Sequence, residues 1–386
     1  LTRGSGNPNL RKALVTLQFA ITIFMLIGTG VIYDQMQYLR SKDLGFDKEN
    51  VLTFTLEGRE ARDKYAVLKE KLLQNAVVQS VGSSGSTPGE GVPKNVMNLE
   101  MASGQMDQYG VDLYGIDFDY LSTMGMKLVK GRPLGPEHST DTAKAVLVNE
   151  AMVRRMGWAD PIGRKVQVGT EDTLPARFIV GVVKDFHQKS LYEPIEPLLF
   201  FPRFQNEFVH VRLRAGNPQA VSLCIAHAER VWNETSPNTP CEYDFVDGAF
   251  MELYAADQMR GRIFSLFGAL MIFITCLGLL GLASYTAEQR TKEVGIRKVL
   301  GAGYTDLVYL LTRNYLLLAA IAAVPAFLAG WYFMDKWLGT FAFHTSLNFG
   351  LFALALLVIV LIAFVTTGIH ALRAALANPV NSLRSE

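Results

Sequence analysis

Four long apolar segments stand out along the chain, one near its start and three near its end. They cover residues 13–33, 263–287, 314–334 and 347–372. Each is long enough for the ~20 helical residues that cross a hydrocarbon core about 30 Å thick. The first follows Arg11 and Lys12, as a signal peptide would, but it is longer than the usual ~7–15 apolar residues and no clear A-x-A site follows it. We therefore predict four transmembrane helices, the first of them uncleaved.

The long segment between the first two spans mixes strand and helix patterns. Residues 208–214 alternate between apolar and polar side chains like a half-buried strand, and 177–183 form the continuous apolar run of a buried strand. Helical patterns lie between such runs, at 59–76, at 149–156 with Asn149 as N-cap, and at 218–234. The combination predicts a large α+β domain between spans one and two.

Three connecting stretches carry further expectations. Residues 82–95 are rich in glycine, serine and proline and predict a mobile loop, either a plain connector, which we favour, or a partner contact. Residues 33–44 and 250–264 continue the helical patterns of the first and second spans into polar sequence. Each is either a stalk that carries motion or an interfacial helix end. In the second span, Gly278 and Gly281 allow close packing without forming a GxxxG motif.

Composition agrees with a membrane protein and excludes one class of partner. Of 386 residues, 49% are hydrophobic and 19% are charged, the formal net charge is +1 and the mean hydropathy is +0.18. This is too apolar for a typical soluble protein of this length. Because no basic domain is present, the sequence predicts no nucleic-acid partner and leaves the lipid membrane as its main surroundings.

Lysine and arginine near the ends of the spans predict the orientation. The basic residues that fall on one side, if all four runs span, are Arg3, Arg11, Lys12, Arg290, Lys292, Arg297, Lys298, Arg373 and Arg384. Loops rich in lysine and arginine stay in the cytoplasm. We therefore expect both termini and residues 288–303 in the cytoplasm and the large α+β domain outside it.

The sequence offers no motif for catalysis, cofactor binding or a metal. It contains no G-x-x-x-x-G-K-[ST], G-x-S-x-G or H-E-x-x-H pattern. His187, beside Lys184 and Asp185, is interpreted as a polar histidine after a buried strand rather than as an acid or base. Cys224 and Cys241 are the only pair available to the outer domain, and either a disulfide or a free, buried Cys224 fits.

The segment "EQRTKEVGIRKVLGAG", residues 288–303, is a compact charged stretch between two membrane-length runs. Glu288–Lys292 and Glu293–Arg297 are i, i+4 pairs with the acid first, an order that favours a solvated helix. Gly301 and Gly303 supply a helix stop. The pattern predicts a short amphipathic helix at the cytoplasmic face, which is either a positive-inside anchor or a docking helix for a partner.

A resemblance favours the docking helix. "EQRTKEVGIRKVLGAG" and "NPVNSLRSE", residues 378–386, resemble the C-terminal permease domain of the FtsX-like, MacB-type ABC transporter family. "YLSTMGMKLVKGRPL", "AVLVNEAMVRRMGWADPIGRKV" and "FIVGVVKDFHQKSLYEPIEPLLFF" are similar to the extracytoplasmic core domain of these permeases. In that family, one span precedes the outer domain and three follow it, which is the order predicted for this chain.

The resemblance implies a partner and a set of coupling residues. A separate cytoplasmic ABC ATPase would bind ATP, so that this chain itself would hold no cofactor and catalyse no reaction. The residues implied to contact that ATPase are Glu288, Arg290, Glu293, Gly295, Arg297, Lys298 and Gly301. Further implied partners are a periplasmic adaptor and either a second copy or a second permease half. The start at Leu1 resembles the linker of the second half of a tandem eight-span permease.

The implied function is mechanotransmission in the bacterial inner membrane. ATP hydrolysis by the partner would move the outer domain, for which export is the first choice among three outputs of the family; the others are lipoprotein extraction and control of cell-wall hydrolases. A membrane-anchored sensor or scaffold is the alternative. The predicted segments are a linker at 1–12, span one with its stalk at 13–39, the outer domain at 40–255, stalk and span two at 256–287, a coupling helix at 288–306, span three at 307–334, a loop at 335–346, span four at 347–372 and a tail at 373–386.

Overall fold

Four long helices carry the apolar segments of the sequence. They are α1 (Pro8–Ser41), α9 (Ala255–Gln289), α10 (Tyr304–Leu338) and α11 (Phe349–Leu376). The structure, a computed structural model, describes residues 8–168, 175–214, 218–235, 240–289, 297 and 303–376. All four helices are long and apolar enough to cross a membrane. The predicted arrangement of one span before and three after a large domain is confirmed.

The chain divides into two units, and the membrane unit consists of Leu1–Arg40 and Ala256–Glu386. Within it α1 is the central helix, because 44% of its apolar stretch is buried, against 17%, 28% and 22% for the stretches of α9, α10 and α11. Phe19, Ile23 and Ile27 of α1 are fully buried and pack with Ala319 of α10 and Ile359 of α11. The exposed sides of the other three helices are apolar, as lipid contact requires.

The outer unit, Ser41–Ala255, contains two subdomains. The first is a split βαβ arrangement with the strand order β11-β1-β10-β2, in which neighbouring strands are antiparallel. Its elements are β1 (Val51–Thr55), α2 (Gly58–Asp63), α3 (Tyr65–Leu73), β2 (Val78–Ser84), β10 (Phe208–Leu213), α7 (Pro218–Thr235) and β11 (Tyr243–Phe245). Phe54, Leu68, Val211 and Trp232 are buried in one core between the sheet and its helices.

The second subdomain is inserted between β2 and β10 and is a closed β-barrel. Its strands are β3 (Lys94–Glu100), β4 (Met106–Ile116), β6 (Ala145–Asn149), β7 (Lys165–Val168), β8 (Arg177–Val183) and β9 (Leu198–Pro202), while β5 (Leu128–Gly131) pairs with β8. Pairing runs β4-β3-β7-β8-β6-β9 and returns to β4. The pairing therefore closes into a ring, in which β9 pairs with the second half of β4, Asp112–Ile116. Met97, Val111 and Leu199 are fully buried in its core.

Short helices complete the outer unit. They are α4 (Tyr120–Thr123), α5 (Asp141–Lys144), α6 (Glu150–Met156) and α8 (Val246–Glu252). The two subdomains meet in one sheet through the pairing of Ser84 with Ile116. Helix α4 packs on that junction so closely that a Cβ on Gly82 would lie 2.7 Å from the Cα of Tyr120.

Three local predictions are confirmed. The Asn149 side chain caps α6 by accepting a hydrogen bond from the Met152 N–H at 3.0 Å. The apolar run at 177–183 is strand β8. The pattern at 218–234 is α7, with Cys224 buried on its inner side. Cys224 and Cys241 are free thiols, so the disulfide alternative is not realised in this structure.

Four expectations need correction. The helix predicted at 59–76 is two helices, because Lys64 leaves the helical region (φ −88°, ψ 1°). The pattern at 250–264 is likewise interrupted: α8 ends at Glu252 and α9 begins at Ala255. The loop at 82–95 is shorter than predicted, since β2 extends to Ser84 and β3 starts at Lys94. Strand β10 is buried on both faces around His210, rather than half-buried, because α4 covers its second face.

Candidate functional site

The proposed coupling residues lie between α9 and α10. Glu288 belongs to the last turn of α9, and Arg297 is helical and exposed. The other five residues lie outside the described part of the chain: Arg290, Glu293, Gly295, Lys298 and Gly301. The helices on either side of this segment, α9 and α10, are described.

Helices α1 and α9 contact each other between Gly261 and Gly278 of α9. Contacts recur at α9 positions seven residues apart, which is the spacing of a coiled-coil seam. The successive pairs are Gly261 with Ile32, Gly268 with Thr29 and Thr275 with Thr22. Because residue numbers rise along one helix as they fall along the other, the pair is antiparallel. Side chains of α1 face the two glycines, Ile32 at Gly261 and both Thr29 and Met25 at Gly268.

Hydrogen bonds also join the two helices, around Thr22 of α1 and Thr275 of α9. The Thr22 hydroxyl donates to the Gln18 carbonyl at 2.7 Å and lies 3.1 Å from the Thr275 hydroxyl, which therefore donates to it. One turn further, a Cβ on Gly278 would lie 3.0 Å from Oε1 of Gln18. A hydrogen bond between helices within a membrane contributes about 0.6–2 kcal/mol. The α1–α9 pair is thus held by both packing and polar contacts.

A buried glutamine holds the opposite end of α1. Gln35 is fully buried, its amide Nε2–H donates to the Phe343 carbonyl at 3.2 Å, and its Oε1 accepts from the Thr345 N–H at 2.9 Å. Phe343 and Thr345 belong to the connection between α10 and α11. One side chain therefore satisfies two backbone groups of that connection and fixes it to α1.

The sequence prediction missed Gln18, Thr22 and Gln35. Gln18 and Thr22 lie in the first apolar run and Gln35 lies in the helical pattern that continues it, and neither prediction assigned these side chains a partner. Uncharged polar side chains within a span are a usable signal, because in lipid each needs a partner on a neighbouring helix. The identity of that partner depends on the helix register, which the sequence of a single span does not contain.

In the outer unit, a buried chain of polar groups centres on His210. Its Nδ1 lies 2.9 Å from the Thr53 hydroxyl and its Nε2 lies 2.7 Å from the Ser84 hydroxyl. The Ser84 hydroxyl is also bonded to the Ser86 carbonyl, so it donates there and accepts from Nε2–H. Burial lowers the pKa of His210 to about 3, which keeps the ring neutral. This serine and histidine are fully buried, so the arrangement holds strands together rather than meeting a substrate.

His187 follows β8, as the sequence predicts, and is 5% exposed. Its backbone N–H donates to the Leu44 carbonyl at 2.8 Å. Burial, with a smaller effect of Lys42, lowers the pKa of His187 to about 4. A neutral, buried imidazole tied to the segment after α1 has a structural position, and we assign it no chemical step.

Comparison with known families matches both units. The model described as MacB-like periplasmic core domain matches residues 13–222, and the one described as FtsX-like permease C-terminal matches residues 265–379. The first match covers more than half of the chain. Together the two matches cover most or all of each of the four helices of membrane length and most of the outer unit.

Individual relatives are distant and longer than the matched region. The "Uncharacterized ABC transporter permease YvrN" of Bacillus subtilis is 21% identical over 56% of this chain and 56% of its own length. "Macrolide export ATP-binding/permease protein MacB" of Burkholderia cenocepacia is 23% identical over 50% of this chain and 29% of its own. The protein of that name in Chromobacterium violaceum is 25% identical over 59% and 36%. This chain thus spans roughly a third to a half of the relatives' length.

Two solved structures are also similar to the chain. The periplasmic region of MacB from Actinobacillus actinomycetemcomitans has a TM-score of 0.39 and 15% identity, covering 55% of this chain and 97% of that one. The extracellular domain of the ABC-type transporter YknZ from Gram-positive bacteria has a TM-score of 0.35 and 16% identity, covering 50% and 97%.

Proposed function

The chain belongs to the family of permeases that carry the MacB-like periplasmic core domain, together with the FtsX-like permease C-terminal region, and from this premise we propose that it is the permease subunit of an ABC transporter that works by mechanotransmission. It is a multi-pass protein of the bacterial inner membrane. In the proposed mechanism, ATP is bound and hydrolysed by a separate cytoplasmic ATPase, and this chain converts the movement of that ATPase into movement of its own outer unit.

One observation carries the proposal. Helix α9 is continuous over 35 residues, from Ala255 to Gln289. At 1.5 Å per residue it spans about 52 Å, against a hydrocarbon core about 30 Å thick. It begins at the last residue of the outer unit and ends at the charged segment that resembles an ATPase contact. Its side-chain contacts with α1, including the Thr22–Thr275 hydrogen bond, support transmission of motion by the two helices together.

The proposed contact with the ATPase is the segment 288–303. Glu288, Arg290, Glu293, Arg297 and Lys298 offer charges of both signs for a partner. Charges at the rim of an interface determine partner choice and association rate more than affinity. We assign no reaction to this chain and place the ATP in the partner.

We propose export as the output, because relatives of similar sequence are named macrolide export proteins. The cargo of this chain is not implied by those names. A second permease half or a second copy would complete the membrane unit, and a periplasmic adaptor would bind the outer unit. Both partners are part of the proposal, and the same copurification experiment can identify them once the ATPase has been found.

The test is capture of the partner from the native membrane. The tagged protein is expressed in its native host and extracted in mild detergent, and copurifying P-loop ATPases are identified by mass spectrometry. The charge reversals Arg297→Glu and Lys298→Glu are then introduced together. The expected result is loss of the ATPase or a change in its ATP turnover by about tenfold. The matched control is Lys144→Glu with Arg155→Glu, at two exposed sites of the outer unit.

Two outcomes contradict the proposal. If no ATPase copurifies in several detergents or after crosslinking, the result favours the alternative function, a membrane-anchored sensor or scaffold. If an ATPase copurifies but both double variants leave its turnover unchanged, the segment 288–303 is an anchor and the contact lies elsewhere.

A further inference from the structure

The outer unit has an open groove of about 560 Å³ that no part of the proposed mechanism uses. It lies between α2 and α3 on one side and the connections that follow β4 and β9 on the other. A volume of this size falls within the ~300–1,000 Å³ of sites for drug-sized molecules. The groove is contained within the first subdomain and its junction with the barrel.

The floor of the groove is polar and fully satisfied. Asp117 is 2% exposed and accepts hydrogen bonds from the Tyr65 hydroxyl at 2.5 Å, the Lys69 ammonium at 2.8 Å and the Ser83 N–H at 3.0 Å. Burial, followed by the charge of Asp117, raises the pKa of Tyr65, so the phenol keeps its proton. Because Lys69 also lies 2.6 Å from Asp119, its charge is engaged by two carboxylates.

The walls of the groove are aromatic and apolar. Phe118 and Phe204 form an edge-to-face pair with centroids 5.1 Å apart and an interplanar angle of 76°. Phe204 is 41% exposed and Leu73 is 45% exposed. Large apolar side chains are exposed singly on many surfaces, but here they line one concavity over a buried polar floor. This combination is typical of a ligand site.

The charge of the lining is negative. Two cations, Arg62 and Lys69, and four carboxylates, Asp63, Glu70, Asp117 and Asp119, line the groove. Arg62 lies 2.6 Å from Glu207, so both cations are engaged in ion pairs. The side chains of Asp63 and Asp119 are 49% and 57% exposed at the rim. Asp63 accepts a hydrogen bond from Gln205 Nε2 at 2.7 Å and lies 3.9 Å from Arg59, and Glu70 adds an exposed carboxylate. An apolar groove with excess negative charge at its rim is complementary to an apolar molecule that carries a positive charge.

We propose that this groove binds a lipophilic cation. The apolar body of the ligand packs on Phe118, Phe204 and Leu73, and its positive group lies toward Asp63 and Asp119. A cation is also attracted to the faces of the phenylalanine rings, whereas an anion of the same shape meets like charges. The inference concerns binding by the outer unit alone, so it does not depend on the proposed ATPase or on transport.

The test uses two ions of the same shape and opposite charge. Tetraphenylphosphonium and tetraphenylborate are measured by equilibrium dialysis against the full chain in lipid nanodiscs, with empty nanodiscs subtracted. The expected result is saturable binding of the phosphonium and no saturable binding of the borate. The interfacial dipole potential makes the two ions partition differently into lipid. Partition is therefore removed by subtracting the empty nanodiscs, and the remaining saturable binding reports the charge preference of the protein.

Variants locate the binding. Phe204→Ala is expected to weaken phosphonium binding roughly three- to tenfold, with Phe204→Leu intermediate. Asp63→Asn with Asp119→Asn is expected to weaken it by a similar factor and to reduce its dependence on salt. The matched controls are Phe245→Ala and Asp107→Asn, at exposed residues that do not line the groove. Circular dichroism and thermal unfolding verify that each variant is folded.

The proposal is overturned by any of three results. These are equal saturable binding of the borate and the phosphonium, phosphonium binding that the groove variants leave unchanged, and control variants that weaken binding as much as the groove variants do. ATPase capture is measured on the same preparations, so loss of ligand binding and loss of the partner are distinguished.

Discussion

Buried polar side chains are the residues at which this fold is most sensitive to single substitutions. Gln35 shows why: its amide satisfies the Phe343 carbonyl and the Thr345 N–H, both in the connection between α10 and α11. Gln35→Leu keeps the side-chain volume but leaves both backbone groups without this partner. An unsatisfied buried group costs about 1–3 kcal/mol. We expect the variant to unfold at lower temperature and its α10–α11 connection to be cut faster by protease.

Gln37→Leu is the matched control for this prediction. It makes the same change in the same helix, at an exposed position two residues further along. The control is expected to match the wild type in both thermal unfolding and proteolysis. If Gln35→Leu is as stable as Gln37→Leu, the hydrogen bonds of Gln35 contribute nothing measurable to the membrane unit.

The lowered pKa of His210 predicts how the free energy of unfolding of the outer unit depends on pH. Burial lowers its pKa to about 3 in the folded state, whereas an unfolded histidine titrates near ~6.5. Between these values the unfolded chain binds a proton that the folded chain does not, so the free energy of unfolding falls as the pH drops below about 6.5. The expected loss at pH 5 is about 2 kcal/mol. His187, whose pKa is also lowered by burial, adds an effect of the same sign.

Urea titration of the full chain at pH 7 and pH 5 tests this expectation. Hydrogen-exchange mass spectrometry of the peptide that covers β10 reports unfolding of the outer unit. His210→Gln is expected to lower stability at pH 7 and to flatten the change between the two pH values. His138→Gln, at an exposed histidine, is the control. An unchanged pH dependence in His210→Gln would contradict the assignment.

At the scale of elements, the packing of α1 against α9 predicts opposite results at two glycines of one helix. A Cβ on Gly278 would lie 3.0 Å from Oε1 of Gln18, whereas a Cβ on Gly281 would meet no atom within 4 Å. Gly278→Leu therefore has to displace the Gln18 amide, and we expect this overpacking to separate α1 and α9 at a cost of about 1–3 kcal/mol. Gly281→Leu, three residues away, is expected to leave the pair intact.

Disulfide formation between Thr22→Cys and Thr275→Cys measures this separation. The two native hydroxyls are 3.1 Å apart, and the background replaces the three native cysteines with alanine. Gly278→Leu is expected to slow disulfide formation at least about fivefold, and Gly281→Leu is not. Equal rates in the two variants would show that α9 does not pack through Gly278.

Elements with a strong local pattern were predictable from the sequence. The four spans follow from hydropathy alone, and α6 follows from the Asn149 cap, because both signals lie within a few consecutive residues. The break at Lys64 and the gap between α8 and α9 were not predicted, since apolar periodicity continues through both. The burial of His210 also had no local signal, because it results from α4, far away in sequence, covering the second face of β10.

The candidate sites show the same division. The charged pairs of 288–303 suggested a helix at the cytoplasmic face, and family resemblance alone supplied a partner for it. The groove of the outer unit was not predicted at all, because Leu73, Phe118 and Phe204 come from three separate elements. Only the split βαβ topology and the inserted barrel bring those side chains to one concavity.

At the scale of the whole molecule, the proposed mechanotransmission requires helices that keep their shape while they carry motion between the membrane unit and the outer unit. Helices α1 and α9 are the two covalent links between the membrane unit and the outer unit. If the two helices move as one body, a disulfide between them leaves the mechanism intact. If the helices slide past each other during the cycle, the same bond stops it.

The disulfide between Thr22→Cys and Thr275→Cys decides between these alternatives. The expected result is that ATP turnover of the complex with the captured ATPase stays within about twofold when the disulfide is formed, because the pair is already fixed by its own contacts. The cysteine-free protein treated with the same oxidant, and the double variant after reduction, are the controls. A fall of about tenfold on oxidation, reversed by reductant, would show that α1 and α9 must slide. That result would contradict the proposal that α1 and α9 move as one body. It would not contradict the contacts between the two helices that the structure shows.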